Sequence, residues 1–318
     1  MGNKLGWILA GVLLAALMCV ILFVVLFPQP SKPGAAVMAT GFLEVKTPAE
    51  TPALVLGSLP TGEGNAGDDY ARAVALYLDK RDAIRYDATD AEKTEIRRQL
   101  LAHVAAGSAK AKMEYTFVHT PKTFVVGYFY QPAEQLYAVC GQLCDLAETD
   151  LKEKDLAEAE KIARALLMMG WHMAGEHSRV DMTNTGLQVQ LDALGVLAAV
   201  CRTEGGEKAK LLDKIQAYSD SLLAFRRHIE GKQRIVWALP PKPGDVFYVI
   251  ENDKDRAWRV QAILALGVLR FTAQTRGDDR YTAKLIEQFK ASSDPLEAAA
   301  AKTADEMTDV DFNLVGTR

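Results

Sequence analysis

The chain has 318 residues, of which 49% are hydrophobic and 25% charged, a globular composition long enough for one large domain or two ordinary ones. Its formal net charge of −4 has the wrong sign for wholesale binding to a phosphate backbone, so nucleic acid is excluded as a general partner. Four cysteines in a chain of this size make no disulfide framework.

A short basic head, residues 1–4, precedes LGWILAGVLLAALMCVILFVVLF, residues 5–27, an uncharged run. At about 1.5 Å per residue, a helix of this length slightly exceeds a hydrocarbon core of about 30 Å, so residues 5–27 read as a single transmembrane helix. The nearest small-residue cleavage site, Val37-Met38-Ala39, lies well past the apolar run, which favours an uncleaved signal anchor. Met18 before Cys19 defeats a lipoprotein reading, and Gly6 defeats a myristoylation motif. Lys4 and the amino terminus on one side, against the widely spread Lys32 and Lys46 on the other, orient the bulk of the chain outside the cytoplasm. Gly11, Ala15 and Cys19 have the spacing that lets two membrane helices approach closely.

Prolines and glycines break every periodic pattern from Pro28 to Ala66, and this stretch reads as a flexible linker. From residue 67 to 318 the pattern is predominantly α-helical. Asp68 and Asp69 suit a helix amino terminus ahead of Tyr70, Ala73, Val74, Tyr77 and Leu78. A second helix is expected from Thr89-Asp90 to Gly107, and later ones over 132–148, 156–177, 185–202, 207–229, 253–275, 279–290 and 295–306. Two stretches depart from helical spacing. Residues 113–131 alternate around Thr120-Pro121-Lys122 as a β-hairpin does, or continue the preceding helix. IVWAL and VFYVI flank PPKPGD within 235–252 as two short strands or one extended loop, which also marks a sub-boundary.

Mid-helix glycines recur in LMMGW at Gly170 and in ALGVL at Gly195 and Gly267. A helix-interior glycine costs about 1 kcal/mol relative to alanine, which calls for close helix crossings at these positions. The segment from 255 to 307 carries an arginine-bearing, alanine- and leucine-rich helix containing AILALG, followed by DPLEAAAAKTA. It resembles HEAT-type repeats, and the resemblance implies a stacked, solenoid-like set of α-hairpins that binds proteins and carries no catalytic residues.

GWHMAGEHSRV, residues 170–180, holds the residue types of a zinc hydrolase. Zinc-protease motifs place two histidines four apart, about 400° of helical rotation, on one face. Here His172 and His177 are five apart, about 140° around the helix, and only His172 and Glu176 share a face. Packing is the favoured reading; His172, Glu176 and His177 as metal ligands are the alternative. His103, His119 and His228 lie in other segments. Cys140 and Cys144 share a helical face, as buried neighbours or as two metal ligands. There is no Gly-x-Ser-x-Gly elbow or P-loop, and GEGNAG at 62–67 follows no buried strand and reads as linker. In FRRHIEGKQR, Arg226, Arg227, Lys232 and Arg234 form a patch for an anionic partner, or simply the cationic end of a helix. These features together describe a membrane-anchored helical interaction or scaffold module at the cell envelope, with a protein partner, no cofactor and no catalysis. The alternative function is an anchored metal-dependent hydrolase using His172 and Glu176.

Overall fold

In the computed structural model, which describes residues 47–114, 131–176, 180–236, 243–274 and 279–307, helices predominate. All these residues belong to one compact unit covering 43–318. The membrane-span segment 5–27 and the hairpin pattern at 115–130 lie outside the described residues.

The segment expected as linker ends in folded structure. Helix α1, Ala53–Leu56, buries Val55, and strand β1, Gly62–Asn65, leads directly into helix α2, Ala66–Asp82. A π turn, Ala83–Asp87, closes α2; helix α3, Asp90–Ser108, and strand β2, Lys110–Lys112, follow. Strand β2 pairs with β1 in parallel, so GEGNAG is a strand and a helix start, not a spacer. Each glycine has a local reason that composition cannot reveal. A Cβ at Gly62 would collide with the Ala109 carbonyl, one at Gly67 would lie 2.6 Å from the Glu114 oxygen, and Gly64 has φ +95°. The Asn65 side chain joins the two segments: Oδ1 accepts from Gly67 N at 2.9 Å and Glu114 N at 2.7 Å, while Nδ2 donates to the Glu114 carbonyl at 2.6 Å. It caps α2 and extends the strand pairing with one amide. Asn65→Ala should therefore lower unfolding stability by about 2 kcal/mol, and Asn65→Asp, which keeps only the acceptors, by less. Urea unfolding followed by circular dichroism measures both; equal losses would contradict this account.

Helix α3 begins with a capping box, in which Thr89 and Glu92 bond each other's backbone amides. Gly107 does not end it. Gly107 lies inside α3, where a Cβ would strike the ring of Tyr70, and the helix stops one residue later to release β2.

The remaining helices are α4, Gln131–Glu153; α5, Leu156–Gly175; α6, Val180–Glu204; α7, Gly206–Ala209; α8, Leu212–Val236; α9, Pro243–Asn252; α10, Arg256–Gln274; α11, Asp279–Lys290; and α12, Pro295–Glu306. Helices α5 and α6 share the most extensive interface; α3, α4 and α8 pack around that pair, and α2 lies on α3 and α4. Arg98 joins α3 to α4 and α5 through Asp150 at 2.5 Å and Glu158 at 3.2 Å. VFYVI lies in α9, not in a strand: Val246, Val249 and Ile250 are buried at helical spacing, and this burial outweighs β-branched propensity. Phe247 meets Tyr281 edge to face at 4.9 Å. Trp237 falls outside the described residues.

Helix α10 packs chiefly on α12. Its arginines are committed to that contact: Arg256 to Asp294 at 2.9 Å, Arg259 to Glu297 at 2.7 Å and Arg270 to Asp305 at 2.8 Å. Gly267 is a crossing point as expected, because a Cβ there would stand 2.9 Å from the Ala304 carbonyl. Gly195 is not: it is exposed, and a Cβ there would meet nothing within 4 Å.

Candidate functional site

His172 lies on α5 and is 3% exposed. It faces α2, where Tyr70 Oη is 2.8 Å from its Nδ1. Burial, then the charge of Asp69, raise the Tyr70 pKa well above that of a free phenol, so the hydroxyl keeps its proton and donates it to Nδ1. The imidazole proton then belongs on Nε2, which points toward the Lys110 backbone without completing a hydrogen bond. Burial lowers the His172 pKa to about 4, with the Lys110 backbone opposing, and the ring is neutral at pH 7. Asp69, beside Tyr70, lies 2.5 Å from Lys110 Nζ and 3.0 Å from Arg72. His172, Tyr70, Asp69 and Lys110 thus clasp α5, α2 and β2 together.

This geometry places His172 in packing. Its Nδ1 lone pair is occupied by a phenol, a use that competes with metal ligation. Glu176 stands just past the end of α5, and His177 lies outside the described residues. Among the described residues no three His, Cys, Asp or Glu side chains gather as a metal-binding group. His103 is a half-buried residue of α3, and His119 is outside the described residues. Sequence reasoning missed Tyr70 as the partner of His172, because the two are 102 positions apart.

A second polar cluster lies where α4 meets α6. Cys140 and Cys144 have their sulfurs 3.9 Å apart and form no disulfide. The hydrogen bond between them raises the Cys140 pKa, assisted by burial, and lowers that of Cys144. Burial, then the Asp192 carboxylate of α6, raise the Tyr137 pKa, and the two side chains are hydrogen-bonded. Asp192 also accepts from Gln188 Nε2 at 2.7 Å, and Gln188 Oε1 accepts from Arg226 Nη1 at 2.5 Å. Arg226 is thereby tied to α6, and Arg227 is the exposed member of the described basic run. The side chains of Lys232 and Arg234 lie outside the described residues.

Beside this run is a small void of about 10 Å³, lined by Val180, Thr183, Phe225, His228, Asp255 and Trp258 among others. Phe225 and His228 stack with ring centroids 6.4 Å apart. Asp255 serves the backbone, accepting from Ala257 N at 3.0 Å to start α10. Val180, Thr183 and Trp258 are buried, so the void is interior packing with room for about one water; the exposed surface here is the edge of α8, where Leu223 is 39% exposed and Arg227 is exposed.

No protein-family model, curated protein or solved structure matches the chain. The described residues are predominantly helical with one small parallel strand pair, and any role has to be argued from the protein's own sites.

Proposed function

We propose that the chain is a single-pass, membrane-anchored helical scaffold at the cell envelope, whose exposed α8 edge at Leu223 and Arg227 takes an acidic segment of a partner protein. That edge carries the reading: Leu223, 39% exposed, and exposed Arg227 stand one turn apart on α8 and offer an apolar contact beside a cation. Anchoring rests on the length and apolarity of residues 5–27. Among the described residues, no helix is long and apolar enough to cross a membrane. The charge pattern around the span favours an extracytoplasmic domain, and the resemblance of residues 255–307 to HEAT-type repeats fits a binding role.

A photo-crosslinking residue at exposed Ala224, in the full-length protein in its own membranes, tests the proposal. We expect a discrete protein adduct that the charge reversal Arg227→Glu reduces at least about tenfold, the effect of roughly 1.4 kcal/mol. Adducts no stronger than those from exposed Glu95 on α3, or adducts to lipid alone, would overturn it.

A further inference from the structure

We infer that α1 is a releasable strap, the end of the tether that docks on α8 and, when it lets go, lengthens the connection between membrane and helical domain. The lengthening rests on the membrane anchor proposed above; docking and release of α1 do not. Among the described residues α1 is the first helix, and its four residues pack chiefly on α8. Pro52 and Val55 are buried, and Leu54 and Leu56 are half-buried against the core. Across the contact, Glu50 N donates to Ser221 Oγ at 3.1 Å. The hydrogen bonds within the strap are local, to the carbonyls of Thr51, Pro52 and Ala53. A helix this short does not hold its shape alone in water, so α1 is helical only while docked, and undocking and melting are one event.

The two sides of α1 differ in strength. Gly57, with φ +86°, is a joint where a Cβ would meet nothing within 4 Å, so packing does not hold it. Beyond the joint the chain is fastened firmly: β1 pairs with β2, Gly62 N donates to the Ala109 carbonyl at 3.1 Å, and the Asn65 side chain grips Gly67 and Glu114. A pull arriving at Thr47 therefore loads the bond at Ser221 and the small apolar contact of α1 before it loads β1. Release frees residues 47–61, up to about 50 Å of chain at roughly 3.3–3.6 Å per residue, while the rest of the domain stays folded.

The test is hydrogen exchange of the full-length protein in detergent. We expect the amides of Leu56 and Gly57 to exchange at least about 100-fold faster than those of Tyr218 and Leu222 in α8. Val55→Asp should remove the remaining protection of α1 and leave α8 protected. A disulfide joining Glu50→Cys to Ser221→Cys should slow exchange in α1 at least about tenfold, and reduction should restore it. In optical-tweezers pulling between Thr47 and Glu306, an early step of up to about 50 Å should precede the main unfolding and vanish in the oxidised pair. Amides of α1 as protected as those of α8, loss of α8 protection in Val55→Asp, or absence of the early step would overturn the strap. Failure of the protein to sediment with membranes would overturn the anchor and the tether role, while exchange and pulling still judge α1 itself.

Discussion

Gly170→Ala and Gly186→Ala should each lower unfolding stability by about 2 kcal/mol, whereas Gly195→Ala should raise it by about 0.5–1 kcal/mol. Helices α5 and α6 cross at Gly170 and Gly186. A Cβ on Gly170 would lie 2.7 Å from the Gly186 carbonyl oxygen and 2.8 Å from Gln190 N; one on Gly186 would lie 2.6 Å from both the Gly170 oxygen and Ala174 N. These are backbone atoms, which cannot swing aside as a flexible side chain does, so relief requires the two helices to move apart. Separation would loosen the most extensive helix pair in the protein, along which Met169, Met173 and Leu187 are fully buried. Gly195 meets no such neighbour, and there alanine only removes the helix cost of glycine. Urea midpoints of the three variants are the measurement. If Gly170→Ala and Gly195→Ala shift the midpoint the same way, the crossing is not as close as described.

The second large effect is a loss of stability in acid that depends on His172. Its pKa is about 4 in the folded protein, against 6.5 as the ordinary value. As pH falls below about 6.5 the unfolded chain takes up a proton that the folded chain refuses, so folding becomes less favourable. The loss grows down to about pH 4, where the folded protein also binds the proton, and it totals on the order of 3 kcal/mol. His172→Gln, uncharged throughout, should show a pH dependence between 6.5 and 4 that is flatter by that amount. Carboxylates titrate in the same range, so the comparison between variant and parent carries the information, not the parent curve alone. Parallel curves would show that the ring is not buried in the neutral form. Tyr70→Phe removes the donor to Nδ1 and should cost about 1–3 kcal/mol at pH 7, with the acid-sensitive window retained.

Both effects arise from contacts whose partners are remote in sequence, and this bears on what is legible in the sequence. The helices over 279–290 and 295–306 coincide with the expected ones, because Asp279, Asp294 and Pro295 are local start signals and the apolar spacing behind them is regular. The capping box at Thr89 and Glu92 is equally local. The glycines divide differently. Three similar pentapeptides suggest three crossings; Gly170 and Gly267 are crossings and Gly195 is not, while Gly186, in no repeated pentapeptide, forms half of the tightest one. A glycine's sequence neighbours do not say which surface approaches it.

The same division explains the two segments that the structure corrects. GEGNAG resembles linker because its glycines break periodicity, but strand β1 is held by Lys110–Lys112 and Glu114, more than forty positions away. VFYVI resembles a strand because its β-branched residues favour one, but the core accepts Val246, Val249 and Ile250 from one helical face. The sequence by itself determined the helical class and most helix starts, because capping, propensity and periodicity act over a few residues. Only tertiary structure decided that Tyr70 holds His172, that Gly186 meets Gly170, and that the arginines of α10 belong to α12. Those choices depend on which surfaces meet, and burial rewards any apolar face that fits, whatever its place in the chain.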